Sequence, residues 1–297
     1  LAQSTPDHAA QQHTPATQQT RTMRTLQGDP VDLGRAHSFL GVIYAAIGQL
    51  SEALKHLQKA LEIYQQHNRR SEVAHVSCNI GHLYLLQAEY AQAQSFFLAQ
   101  QSYVEQSGDI LKSVLLYNLG ELAAVDQQFD KAEKLYREGL TLVESINDRE
   151  YISTWSAILG ELLTQRGRFK EAATAILHAL EIGRAVPRNQ PCVGFALVAL
   201  ANLRCSLVEH EQAGESVNGQ RSLRHAGSDL RRALSLHGLD AEKRTQAKLA
   251  QARVSRLLGD LAQARQQALQ ARADAQTYEL YALSARCQQL LDTLPNA

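Results

Sequence analysis

Apolar residues divide most of the chain into pairs of helical segments, each pair consisting of an apolar helix, a short break and a second apolar helix. One glycine recurs inside the first segment of four successive pairs, and an alanine follows each glycine by 12 residues. The glycines are Gly41, Gly81, Gly120 and Gly160, and the alanines are Ala53, Ala93, Ala132 and Ala172. Self-similarity with a period of about 40 residues is typical of a solenoid.

Two further copies of the pattern are weaker. The glycine and alanine positions hold Ala201 and Ala213 in the fifth copy, and Ala252 and Ala264 in the sixth. These last two copies are 51 residues apart, whereas the other spacings are 39–41, so about ten extra residues lie between them. We expect the extra residues to lengthen the second helix of the fifth copy or to form a loop near Asn218–Gly227, where glycines disfavour a helix.

Close packing explains the recurring glycine. A glycine inside a helix costs about 1 kcal/mol relative to alanine. A small residue where two antiparallel helices cross lets their axes approach, and larger side chains fill the remaining space. In the breaks, Gly48, Gly167 and Gly259 fall where a helix would end in the left-handed conformation. The apolar residue that follows the break is Leu50, Tyr90, Phe129, Phe169 or Leu261, with His210 as the exception in the fifth copy.

The pattern resembles the tetratricopeptide repeat family. The matching residues are Leu40-Gly41, Tyr44, Gly48, Ala53 and Ala60 in the first copy, and Ile80-Gly81, Tyr84, Tyr90, Ala93 and Phe97 in the second. The usual repeat of this family has about 34 residues. The longer repeat seen here is similar to that of kinesin light chains and of bacterial maltose-type transcription activators.

The resemblance implies an all-α solenoid of about six antiparallel helix pairs, closed by a C-terminal capping helix over residues 277–294. The predicted repeats span residues 34–68, 74–108, 113–147, 153–187, 194–236 and 240–275. Residues 1–29 are rich in Gln, Thr and Ala and are predicted to form a disordered tail or linker. Order should begin near Pro30, with Asp29 as the helix cap.

Composition favours a soluble protein without catalytic chemistry. The chain is 44% hydrophobic with a formal net charge of zero, and no apolar run is long enough to span a membrane. The four cysteines show neither metal-ligand nor disulfide spacing, so we expect buried thiols in a reducing cytoplasm. Neither a phosphate-binding loop nor a metalloprotease motif occurs, and we predict no enzyme activity, no cofactor and no metal. His210, between two glutamates, is interpreted as a packing residue, with a metal ligand as the alternative.

In the tetratricopeptide repeat family the first helix of each pair lines a concave groove. The resemblance places the residue two before the recurring glycine, and the residue after it, in that groove. The predicted groove residues are His75, Asn79, His82, Tyr117, Asn118, Glu121, Glu161 and Asn202. We expect Asn79 and Asn118 to be exposed and to hold an extended peptide, because an amide both donates and accepts hydrogen bonds. Alternatively, each asparagine bonds a neighbouring helix or water.

These features predict a scaffold or sensor module that binds a protein or peptide in its groove. By resemblance, it would be the regulatory part of a larger bacterial-type signalling or transcriptional regulator and would contact adjoining domains of the same polypeptide. Residues 218–297 carry 12 Lys/Arg against 7 Asp/Glu, which leaves nucleic-acid or acidic-partner binding as an alternative, beside an accessory domain of a multidomain enzyme. Aromatic residues are missing among these arginines before Tyr278, which argues against nucleic acid.

Overall fold

The computed structural model describes residues 29–106, 108–186, 190–212 and 214–295. Within these residues the chain forms thirteen α-helices and no strand. The helices are α1 Pro30–Ala46, α2 Leu50–Gln66, α3 Arg70–Leu86, α4 Tyr90–Val104, α5 Asp109–Val125, α6 Phe129–Ser145, α7 Arg149–Gln165, α8 Phe169–Ala185, α9 Gln190–His210, α10 Val217–Ser235, α11 Ala241–Leu257, α12 Leu261–Thr277 and α13 Tyr281–Asp292. The helices pack in six successive pairs from α1/α2 to α11/α12, and α13 follows the last pair, which confirms the predicted all-α solenoid.

Both ends of the solenoid follow local chemistry. The Asp29 carboxylate accepts a hydrogen bond of 2.9 Å from the backbone N–H of Val31 at the start of α1, as predicted for the cap. Most of the predicted tail, residues 1–28, lies outside the described residues. The final helix begins at Tyr281 rather than at Thr277, because α12 continues to Thr277 and Glu279 then turns the chain with φ 56°. Its apolar residues face one side, with Leu283, Cys287 and Leu291 buried.

A left-handed residue ends the first helix of every pair, and in the fifth pair it is Gln212 with φ 50°. Gly48, Gly167 and Gly259 have φ of 84°, 71° and 86°, as the sequence predicted. In the second and third pairs, Ala88 and Gln127 adopt the same conformation with φ of 61° and 59°. A side chain in this conformation costs about 1 kcal/mol, and glycine would avoid that cost.

The recurring glycines mark the closest approach of the paired helices. A Cβ atom on Gly41, Gly81, Gly120 or Gly160 would collide with the side chain of Leu57, Phe97, Tyr136 or Ile176, respectively. In the sixth pair the two equivalent positions hold Ala252 and Ala268, which are both buried and share an apolar cluster. A glycine on the first helix of a pair therefore faces a large side chain on the second helix, whereas an alanine on the first helix is combined with an alanine on the second. This relation confirms that the glycine is needed for close packing.

The fifth pair corrects the sequence register. The predicted loop near Asn218–Gly227 is wrong, because these residues lie inside α10, which Ser216 caps through its side chain. The predicted alternative, a longer second helix, is confirmed, because α10 has 19 residues. Other extra residues extend α9 to 21 residues and lie between His210 and Val217. Ala213 lies outside the described residues, and Gly219 is the buried small residue near the start of α10, four before buried Leu223.

Helix α9 is long and apolar enough to span a membrane by length and composition, the one such helix in the described parts of the chain. Most of it is buried inside the protein, as in a core helix. All four cysteines are free and buried, as predicted. Burial raises the pKa of Cys78 to about 12 and those of Cys205 and Cys287 to about 11, which makes these thiols poor nucleophiles.

The first and last helix pairs contact each other, so the superhelix closes on itself. One apolar cluster combines Leu50, Leu57 and Leu83 from the first pairs with Ala275, Leu280 and Leu283 from the last ones. The Ser51 hydroxyl donates to the Glu279 carboxylate at 2.7 Å, and the Gln87 amide donates to it at 3.0 Å. We call the contact of Ser51 and Gln87 with Glu279 the closure contact. It turns the concave groove into an interior space.

Candidate functional site

Four aromatic rings fill the middle of the interior space. Tyr117 of α5 stacks on Trp155 of α7 with 4.5 Å between ring centroids, and its ring lies 6.0 Å from that of Tyr136. The ring of His82 on α3 lies 6.3 Å from Tyr117. We call these four residues the aromatic cluster. Two predicted groove residues, His82 and Tyr117, are thus brought together, but they pack on the protein's own rings.

A buried carboxyl group accompanies the aromatic cluster. Glu121 of α5 accepts a hydrogen bond of 2.5 Å from the hydroxyl of Tyr136. Burial raises the pKa of Glu121, although that hydrogen bond partly opposes the shift. Burial, together with the negative charge of Glu121, also raises the pKa values of Tyr117 and Tyr136 well above the ordinary value. Both phenols are therefore neutral at physiological pH and serve as packing and hydrogen-bonding groups.

Helix α11 places the half-buried ammonium group of Lys243 beside the carboxylate of Glu242. The Lys243 ammonium lies 3.6 Å from a carboxylate oxygen of Glu242, donates to the Gln246 amide oxygen at 3.1 Å and sits 5.6 Å from the centre of the Phe195 ring. Burial alone would lower the pKa of Lys243. The negative charges of nearby carboxylates raise it overall, and Glu242 has the largest such effect, followed by Glu161. Lys243 is therefore paired with Glu242 of its own helix, and its charge only partly opposes the burial that raises the pKa of Glu121.

The two asparagines predicted to hold a peptide are less exposed than expected. Asn118 is only 2% exposed, contrary to the expectation of an open side chain, and it interacts with the ring of His82. Asn79 is half-buried, and its Nδ2 atom is buried without a hydrogen-bond partner. His75 is exposed and lines a separate surface cavity beside Tyr103, away from the other groove residues. The fold places Asn118 in the interior rather than on an accessible groove wall.

The interior space remains open at one end, in a cavity of about 360 Å³ between α7, α9, α11 and α13. Two predicted groove residues, Glu161 and Asn202, line it. Three guanidinium groups face them, from Arg253 and Arg256 of α11 and Arg286 of α13. We call the space lined by these five residues the arginine cavity. It is a part of the predicted groove that a ligand can enter, and it brings two of the predicted residues together.

The three arginines differ in how far their charges are already satisfied. Glu209 of α9 accepts hydrogen bonds from both Arg253 and Arg256, and the Arg256 bond is 2.6 Å long. Arg253 also donates to the Ser206 hydroxyl at 3.0 Å. The Nε atom of Arg256 is buried without a partner, and Arg286 is exposed. Of these groups, Arg286 is the donor that a ligand with acceptor groups can reach, because the Nε atom of Arg256 is buried.

The sequence prediction missed all three cavity arginines, and the reason differs between Arg253 and Arg286. Arg253 directly follows Ala252, and it therefore occupies the same repeat position as His82, Glu121 and Asn202. Applying the groove rule to the sixth copy would have found it. Arg286 lies on the capping helix, which carries no repeat signal.

In the parts of the chain that the structure describes, no group of three His, Cys, Asp or Glu side chains is arranged so that it could hold a metal ion. His210 is exposed, and its ring packs on Phe169 with 5.2 Å between centroids. This contact agrees with the interpretation of His210 as a packing residue.

Comparison with known proteins identifies the repeat class. A family model described as tetratricopeptide repeat matches residues 32–99 and 111–185. The chain is therefore a tetratricopeptide repeat protein. A search of curated proteins finds no match.

Solved structures with similar folds include BtubC (BKLC) from P. vanneervenii, which is 16% identical with a TM-score of 0.50 and covers 85% of this chain and 93% of its own. Yeast Tom70 is 13% identical with a TM-score of 0.47, covering 89% of this chain and 64% of its own. The TPR2AB domain of yeast Sti1, solved in complex with pHSP90, is 15% identical with a TM-score of 0.31, covering 88% and 98%. At these identities the likeness to BtubC shows the fold alone.

Proposed function

We propose that the protein is a binding scaffold that holds an extended segment of a partner protein or peptide in the arginine cavity. The observation that supports this proposal is the position of the cavity on the inner face, where Glu161 and Asn202 lie across from Arg253 and Arg286. A groove with this lining suits a main chain that needs hydrogen bonds and a side chain that carries negative charge.

Different lining residues would contact the backbone, the apolar side chains and the acidic side chain of such a segment. The amides of Asn202 and Gln246 can donate to and accept from a peptide backbone. Leu249 and Leu290 supply apolar contact on the same wall. Arg286, which is exposed, can pair with a carboxylate in the fork geometry that guanidinium groups favour. The ligand class is therefore a peptide with an acidic residue flanked by small or apolar ones.

The wider setting is also proposed here. The module would work as the regulatory part of a larger bacterial-type signalling or transcriptional regulator, in the cytoplasm, where its four thiols stay reduced. A partner too long for the cavity would have to open the closure contact and reach the aromatic cluster. Binding and closure would then compete, which is how a sensor could pass a signal to an adjoining domain.

The test measures fluorescence anisotropy of short labelled peptides, one rich in glutamate with glycine and leucine and one with lysine in place of glutamate. We expect the acidic peptide to bind and the Arg286→Glu change to weaken binding by at least tenfold, about 1.4 kcal/mol. The matched control is Arg232→Glu, since Arg232 is exposed on α10 outside the cavity. Equal binding to the parent protein and to Arg286→Glu, or no binding of either peptide, would overturn the proposal.

A second candidate function has its own observation. Arg221, Arg224, Arg231 and Arg232 are all exposed on one helix, α10, and they recur at helical spacing. Such a basic stripe could hold the phosphate backbone of a nucleic acid. We would measure binding of labelled duplex DNA to the parent protein and to a variant with all four arginines replaced by glutamine. A steep loss of affinity with salt, abolished in the variant, is expected if the stripe binds nucleic acid, and binding that the variant retains refutes it.

A further inference from the structure

Helix α1 exposes a continuous apolar stripe. Five large apolar residues of α1 and its C-cap residue Ile47 are each between 38% and 70% exposed; the five are Leu33, Phe39, Leu40, Val42 and Ile43. With exposed Ala36, four of these six form a series at positions 33, 36, 40, 43 and 47. The alternating steps of three and four residues are the spacing by which one helix packs along another.

The repeat shows that this stripe corresponds to a packing surface. Leu40 and Ile43 are equivalent to Ile80 and Leu83 in the second pair, 40 residues later. Ile80 and Leu83 are at most 2% exposed and belong to the apolar cluster that includes residues of the preceding helix α2. A solenoid unit buries this face only on a neighbour, and α13 covers the opposite end of the array. The equivalent face of α1 is open among the described residues.

The segment that precedes α1 has the wrong composition to cover the stripe. Between positions 1 and 28 the large apolar residues are Leu1, Met23 and Leu26. Met23 and Leu26 are three apart, but two positions are too few to match the five positions of the stripe. Pro15 would also interrupt a helix in the middle of that segment. An occupant with a matching apolar stripe must be sought elsewhere.

The stripe is complementary to itself when two copies run antiparallel. With Leu40 on the twofold axis, Ala36 faces Ile43 of the partner subunit, so that a small residue meets a large one. Leu33 then faces Ile47 of the partner subunit. At the edge, Asp32 and Arg35 form an ion pair of 2.8 Å within one chain, so like charges do not repel across the axis.

The area is sufficient for a stable contact. Val42 lies on the side of the helix opposite Leu33, and the other five residues together expose the area of fewer than three whole side chains. Even at roughly 150–250 Å² for a large aromatic side chain, they expose at most about 400–650 Å², the size of the largest patch on a typical monomer. Together with the flanking polar residues this approaches the roughly 800 Å² that each partner contributes to a standard interface. We propose that α1 packs antiparallel against α1 of a second copy and forms a twofold symmetric homodimer.

The test is the mass of the full chain in solution, measured by sedimentation velocity across a concentration series. We expect the parent protein to be a dimer and Ile43→Glu to be a monomer, with unchanged helical content because Ile43 already contacts solvent. Leu177→Glu is the matched control, since Leu177 on α8 is 56% exposed, and it should remain a dimer. A monomeric parent protein, or a dimeric Ile43→Glu variant, overturns the proposal.

A crosslinking experiment tests the orientation of the two helices. In the antiparallel dimer Leu40→Cys places two thiols at the axis, so mild oxidation should yield a covalent dimer, whereas Ile47→Cys should not crosslink. The four natural cysteines are buried and do not interfere. Crosslinking of both variants would indicate parallel helices, and crosslinking of neither would refute the contact.

Discussion

The glycine at the helix crossing gives the sharpest quantitative prediction. Replacing Gly81 with alanine gains about 1 kcal/mol of helix propensity. The added Cβ, however, collides with the ring of Phe97, which is fully buried and has no free space to move into. Overpacking of this kind costs up to about 3 kcal/mol. We therefore expect Gly81→Ala to destabilise the protein by about 2 kcal/mol.

The same change should have the opposite sign when Phe97 is absent. Phe97→Ala alone should cost about 3–5 kcal/mol, because it leaves a cavity in the core. Adding Gly81→Ala to that variant restores helix propensity and fills space without a collision, so it should now stabilise by about 1 kcal/mol. The natural pair of Ala252 and Ala268 in the last repeat has this composition. The predicted coupling between the two sites is about 3 kcal/mol, the upper range for contacting residues.

The assay is urea denaturation of the four proteins of the cycle. Circular dichroism follows all the helices, and the single tryptophan, Trp155, reports on the interior of the array. Unchanged helical content in the absence of urea serves as the control for folding. If Gly81→Ala destabilises the protein equally with and without the Phe97 ring, close packing is not the reason for the recurring glycine.

The other predictions concern backbone strain, closure and protonation. Gly167→Ala should destabilise by about 1 kcal/mol in urea denaturation, because φ is 71° and the new Cβ meets no neighbour, and Ala88→Gly should stabilise by a similar amount; equal and opposite shifts test the strain. Gly227→Ala should stabilise by about 1 kcal/mol, since its Cβ would find ordinary contacts inside α10, and a loss would show hidden crowding. Glu279→Ala should speed hydrogen exchange at the start of α2 and increase the radius of gyration in X-ray scattering, and no change in either would show that the closure contact is dispensable. Burial lowers the pKa of His82 in the folded state, so neutral His82 contributes stability above the unfolded value of about 6.5 that is lost as the pH falls; His82→Gln should flatten the fall in stability from about pH 7 to 5, and parallel curves would contradict this.

The repeat could be read from the sequence because its determinants are local. A glycine at Gly81 and an alanine at Ala93 report on the crossing of two neighbouring helices, and the turn glycines report on their own backbone angles. The same local rule selects Asn118 and Glu121, which the structure packs beside the aromatic cluster. What it could not give is their accessibility, because closure depends on the small rotation between pairs, added up over the whole array.

The fifth pair shows a second limit. The periodicity placed Ala213 opposite Ala201, but the insertion precedes α10 and shifts the small buried residue to Gly219. A signal for the correct register was present in the spacing of Leu223, Ala226 and Leu230, which are all buried. Gly219 and Gly227, near the two ends of the predicted loop, suggested that no helix would form there. The burial of the apolar face of α10 outweighs the low helix propensity of these glycines.

The closure contact also changes how the array should unfold. An open solenoid is a one-dimensional system, in which each unit contacts only its neighbours and the ends fray first. Here Ser51 and Glu279 bond across 228 residues of sequence. The terminal units are therefore each other's neighbours, and neither can melt alone without exposing the apolar cluster that they share. Such long-range contacts slow folding, because they form only after the intervening chain has been ordered, and they make unfolding more nearly all-or-none. The protein should then behave in denaturant as one cooperative body, and a single break at the closure contact should restore the gradual, end-first melting of a linear repeat.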